Sequence, residues 1–95
     1  MRYEWDPGKD RANRTKHGVS FATAVRVFED PRHLSVLDRH EAGEERWQTL
    51  GLVGGVVVLL VAHTYREDDE GDEVIRIISA RKATRRERQR YEQED

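Results

Sequence analysis

The 95-residue sequence has no cysteine, one methionine, two prolines and only seven aromatic residues. Without cysteine there is neither a disulfide framework nor a thiolate metal site, which suits a reducing compartment. Long apolar runs are missing too. The longest, LGLVGGVVVLLVA at residues 50–62, spans 13 residues and is broken by a glycine pair, whereas a membrane-spanning helix needs about 20. Charged residues directly after Met1 do not read as a secretory signal, so the expectation is a cytoplasmic chain with no membrane partner. No G-x-S-x-G elbow surrounds Ser20, Ser35 or Ser79. The histidines at 17, 33, 40 and 63 match no common zinc spacing. An EF-hand with Gly71 at its central turn would put Arg66 and Ile77 where carboxylates are required. Neither a metal nor a cofactor is expected.

What remains is charge, in blocks. Charged residues make up 38% and hydrophobic ones 36%, but the apolar residues cluster in runs, as in a small folded domain with a charged exterior. Residues 1–95 have room for one domain only. The net charge of -2 conceals six acids in EDDEGDE at 67–73 and six bases with one acid at 81–90. Only the basic pole attracts phosphates, and EDDEGDE reads as a solvated hairpin loop.

Local signals order the elements. A short strand at 3–5 leads to Asp6-Pro7, an N-cap followed by a residue suited to the first turn, and helix 1 then runs to about His17 and stops at Gly18. Ser20 caps a second helix in which Phe21, Ala24, Val25 and Phe28 form an apolar stripe that ends at Asp30-Pro31. Strands are predicted at 34–38, 46–53, 56–65 and 73–80, with Gly54-Gly55 as a two-residue hairpin turn. Residues 56–62 show no alternation, which places that strand centrally with both faces covered. Thr84 and Glu87 form a T-x-x-E capping box for a last helix whose only large apolar group is Tyr91. The predicted order is β-α-α-β-β-β-β-α, an α+β domain with a mostly antiparallel sheet and helices on one face.

Four side chains carry candidate chemistry. His63 ends an apolar strand in VAHTYR and is suited to move a proton, or else it is a histidine satisfied at the core edge. If the loop before the next strand closes evenly, His63 comes near Arg76. Arg76 interrupts the apolar EVIRIISA and needs either a carboxylate partner or a phosphate to face. Arg81 and Lys82 are fixed at the exit of that strand, whereas Arg85, Arg86, Arg88 and Arg90 wind around the last helix, mostly in solvent.

Taken together, WDPGKDRANRTKHGVSF, GEERWQTLG, VAHT and RIISARKATRRERQRYE closely resemble the BrnT family of bacterial type II toxins, in the same order over nearly the whole chain. The resemblance implies a fold similar to the RelE-like ribonucleases and a toxin that inhibits translation by cutting RNA, either free or on the ribosome. It also implies neutralisation by a BrnA-type antitoxin whose ribbon-helix-helix domain makes the DNA contact. The matching positions are His17, Arg46, His63, Arg76, Arg81 and Lys82; the long acidic turn REDDEGDE departs from the shorter turn common in the family. On this reading His63, Arg76, Arg81 and Lys82 are catalytic, and Arg46, Arg66 and Arg85 grip RNA. Arginine stays protonated and stabilises charge, so His63 is the expected acid or base and Lys82 a phosphate clamp. The alternatives are an RNA-binding module without catalysis and a small interaction subunit whose last helix awaits a partner.

Overall fold

The computed structural model describes residues 1–93. Strands β1 (Arg2–Glu4), β2 (Leu34–Glu41), β3 (Glu44–Val53), β4 (Val57–Glu67) and β5 (Glu73–Lys82) form one sheet in the order β1-β5-β4-β3-β2. Only β1 and β5 pair in parallel. The unalternating strand is central, and Val58, Leu59, Leu60 and Val61 are all buried.

Helix α1 (Pro7–His17) begins where the side chain of Asp6 accepts the Lys9 amide and ends at Gly18, whose φ of 71° is left-handed. Lacking an apolar stripe, it docks through one buried amide. Asn13 Nδ2 donates to the Val19 and Ala80 carbonyls, both at 2.8 Å, and the Ala80 amide donates to Asn13 Oδ1 at 3.2 Å. The side chain thus stands in for a neighbouring strand along the part of β5 that β1 does not reach.

The second helix is shorter than its stripe suggests. Helix α2 (Phe21–Ala24) passes into a 3-10 turn (Val25–Glu29), so three residues per turn replace 3.6. The buried positions become Phe21, Ala24 and Val27, spaced by three, and Val25 and Phe28 are left half-buried. The turn lies tight on β3 because position 51 is glycine: a Cβ there would sit 2.6 Å from Val27 Cβ and 2.8 Å from the Val27 carbonyl oxygen. At the β3–β4 hairpin Val53 pairs with Val57, so the connection is residues 54–56 rather than the glycine pair alone. Gly54 and Gly55 both have positive φ, while Val56 belongs to the turn and is 86% exposed.

Helix α3 (Arg85–Gln93) starts with the predicted capping box: the Glu87 amide donates to Thr84 Oγ1 at 3.2 Å and the Thr84 amide to Glu87 Oε1 at 2.8 Å. Its position corrects the expectation of helices on one face. Whereas α2 and the 3-10 turn cover Val53, Leu59, Val61, Ile75 and Ile77, Ala83 and Tyr91 pack on the other face with Leu50, Val58 and Leu60. The Tyr91 hydroxyl donates to Asp30 Oδ2, which also accepts the Leu52 amide at 2.8 Å. One buried ring and one shared carboxylate thus tie the later part of this polar helix to the rest of the protein. Burial and the Asp30 charge push Tyr91 up to about 12. Burial opposes ionisation of Asp30, but the Leu52, Tyr91 and Arg32 hydrogen bonds prevail and hold its carboxyl below the usual range.

Candidate active site on the open sheet face

Strand pairing decides which charges meet. Arg76 pairs with Thr64 and Arg81 with Leu60, positions four apart on β4 and hence on one face. The two arginines are five positions apart in sequence, an odd offset that in a regular strand would put them on opposite faces. Ile78 is the extra residue: Ala62 pairs with Ser79 and His63 with Ile77, so a β-bulge absorbs one residue and returns Arg81 to the side of Arg76. On β3, Glu44, Arg46, Gln48 and Leu50 share this face, because Leu50 pairs with Leu60 and Gln48 with Ala62. Beyond the patch under α3, Ser79 on this face is exposed and Arg46, Gln48 and Arg76 are half-buried, while Thr64 and Val74 lie buried within it.

Each arginine here has its own environment. Arg76 donates to Glu44 Oε1 at 2.9 Å, with both side chains about two-fifths exposed (41% and 43%). An ion pair this wet holds a conformation more than it adds stability. Arg81 makes a fork-to-fork pair with Glu87, 2.8 Å from Nη1 to Oε1 and 3.0 Å from Nη2 to Oε2. That hydrogen-bonded guanidinium brings Glu87 down to about 2 against the opposing pull of burial, so the carboxylate is charged at neutral pH. The capping glutamate of α3 is thus also the clamp of Arg81. Arg46 buries its Nε with no hydrogen-bond partner among the described residues. Arg66 is farther along the face and is held by Glu4, with Nη2 2.9 Å from Oε2. Arg85 is exposed in the first turn of α3.

His63 is not among them. It pairs with Ile77 and Trp47 and points under the helices, 0% exposed, between the rings of Phe28 at 5.0 Å and Tyr65 at 4.9 Å. Its Nε2 lies 2.7 Å from Thr49 Oγ1, which in turn bonds Ser35 Oγ at 2.7 Å. Nδ1 lacks a well-formed hydrogen bond among the described residues. Burial drives the imidazole down to about 4, only partly offset by the Thr64 backbone, so at neutral pH it is uncharged. The alternative reading as a core histidine describes this position, and the expected role as acid or base does not fit it. His63 and Arg76 are near neighbours in register but project to opposite faces, the result of being one position out of step.

Lys82 is a second correction. It pairs with Leu59 and projects to the helix-covered side, so it does not flank Arg81 over the open face. A residue that spacing alone could not place is His17. At the end of α1 it shares a cavity of about 230 Å³ with Lys9, Lys16, Ile78 and Ser79, beside the bulge. Among the described residues no three His, Asp or Glu side chains converge to hold a metal.

These features define a class: a small α+β protein that groups arginines, most of them paired with carboxylates, on one face of its sheet. The sequence matches, over residues 5–87, the family described as "Ribonuclease toxin, BrnT, of type II toxin-antitoxin system". The chain belongs to that family. Its fold is similar to the 1.1 Å crystal structure of the Brucella abortus ribonuclease toxin BrnT, with TM-score 0.65 and 26% identity over 90% of this chain and 99% of that one. Comparison with curated protein sequences yields no significant match.

Proposed function

We propose that this protein is a metal-independent endoribonuclease toxin of RelE-like fold, acting in the cytoplasm to inhibit translation and neutralised by a BrnA-type antitoxin. The observation that carries the reading is the bulge that sets Arg76 and Arg81 on one open face with Arg46. In the reaction, a ribose 2′-hydroxyl gives up its proton as its oxygen bonds to the adjoining 3′-phosphorus, the pentacoordinate centre gathers negative charge, and the bond from phosphorus to the 5′-oxygen breaks as that oxygen takes a proton. Arg76 and Arg81 supply fixed positive charge to that centre, and Arg46, on the same face, binds the adjoining phosphate. Glu44 and Glu87 hold the two guanidinium groups in place until phosphate oxygens replace them. His63 being buried, proton transfer falls to His17 at the margin of the face. Arg66 and Arg85 extend the grip along the strand.

The test is purified protein incubated with mRNA in EDTA. Cleavage is expected in wild type and its loss in Arg76→Ala and Arg81→Ala, with circular dichroism unchanged. The second reading, an RNA-binding module without catalysis, draws on the absence, among the described residues, of an imidazole between the arginines of this face. Salt-dependent RNA binding with no strand scission would establish it in place of the first.

A further inference from the structure

At the exit of β5, on the side away from Arg81, there is a cavity of about 360 Å³ that the ribonuclease reading leaves without a role. Its floor is aliphatic, made by Val19, Val57 and Leu59, and two cations from separate elements converge on it, Arg14 from α1 and Lys82 from β5. Neither is paired with a carboxylate among the described residues, unlike Arg66, Arg76 and Arg81. Two hydroxyls complete the lining. Ser20 Oγ donates to Thr23 Oγ1 at 3.0 Å and accepts the Thr23 amide at 3.1 Å, which leaves the Thr23 hydroxyl its own proton to offer a ligand.

Such a site fits a ligand with an apolar body and a negative end. A nucleotide has both, but nucleobases are held in protein sites mainly by stacking on aromatic rings or guanidinium planes, and the only such plane lining this cavity is that of Arg14, one of the two cations the negative end would engage. A peptide with an aliphatic side chain beside an aspartate or glutamate suits the Val and Leu floor and the two cations at once. We propose that this cavity anchors the antitoxin of the system through an acidic-aliphatic segment, on the face of the sheet opposite the arginines. The inference rests on the toxin-antitoxin reading for the identity of its partner. Because the anchor and the arginine face are on opposite sides, antitoxin held here need not cover Arg76 with the same segment. Grip and inhibition become separable parts of one bivalent contact.

The experiment is calorimetric titration of the antitoxin encoded beside this chain into wild type, Arg14→Glu and Arg11→Glu. Both arginines are exposed on α1, but only Arg14 reaches the cavity. Arg14→Glu is expected to weaken the antitoxin by about tenfold or more and Arg11→Glu by less than about twofold. RNA cleavage by the free toxin is expected to be unchanged in both, and Arg14→Gln, which places no acid near the end of α1, should give an intermediate loss. Equal antitoxin affinity in Arg14→Glu and Arg11→Glu overturns the proposal, as does a wild-type chain that binds no antitoxin. A loss of RNA binding with antitoxin affinity intact overturns it too and makes the cavity a nucleotide subsite. Tight antitoxin binding by a wild type that cuts no RNA would sink the ribonuclease reading and leave this one standing.

Discussion

On the helix-covered face of the sheet, His63 is enclosed by Phe28 and Tyr65 and kept uncharged. On the open face, a few ångströms of backbone away, Arg76 and Arg81 stay charged, each held by one carboxylate. Identity of residue type does not decide the role of either group. Burial without a partner charge makes a titratable side chain structural, and partial exposure with a replaceable partner leaves it free for a ligand.

The largest expected effect sets the faces directly against each other. Arg76→Ala or Arg81→Ala is expected to slow RNA cleavage by about 100-fold or more, while His63→Phe leaves cleavage per folded molecule within about threefold. Equal losses, measured on a defined RNA and normalised to folded protein, would erase the distinction.

Protons probe the same contrast through stability. His63 is lowered from 6.5 to about 4 in the folded chain, so between those values the unfolded chain binds more protons. Its contribution is fully present above pH 6.5 and is lost as pH falls towards 4, by on the order of 3 kcal/mol. Urea unfolding across this window should show that slope in wild type and its reduction in His63→Phe; parallel curves would show that burial does not govern the imidazole.

Smaller effects concern what holds each face closed. Gly51→Ala pushes a Cβ into Val27 and should cost about 1–3 kcal/mol, read as a lowered Tm without change in the pH slope. Tyr91→Phe removes the hydroxyl bonded to Asp30 and should cost about 1 kcal/mol, seen first as faster hydrogen exchange in α3. Protection of α3 unchanged by that substitution would mean that the ring alone docks the helix.

Much of this was legible in the chain itself. Asp6, Gly18, Ser20 and the Thr84–Glu87 box mark ends that short-range chemistry determines, and the structure has caps at all of them. Less legible were features set by long-range packing. The 3-10 turn re-spaces the second helix against Gly51, and Tyr91 carries α3 to the face opposite the other helices. Asn13 was missed, although a lone amide on a helix without an apolar stripe was a signal for it. At the site, Arg76 and Arg81 could be picked out as charges in or at the end of an apolar strand, but the bulge could not be counted. For His63 and Lys82, residue type was informative and facing was not.

The bulge at Ile78 also works as a parity switch. Counting by twos from Arg76 in an unbroken strand arrives at Ala80 and Lys82; the extra residue substitutes Arg81. A guanidinium fork instead of a point charge is thereby presented to the open face. A deletion that removed one residue at 77–79 and regularised the strand would leave Arg81 in phase, whereas ironing out the bulge at constant length would exchange the two cations between faces. The spacing that this site must preserve is measured in pleats, and a change in residue number there can be silent while a change in strand regularity is not.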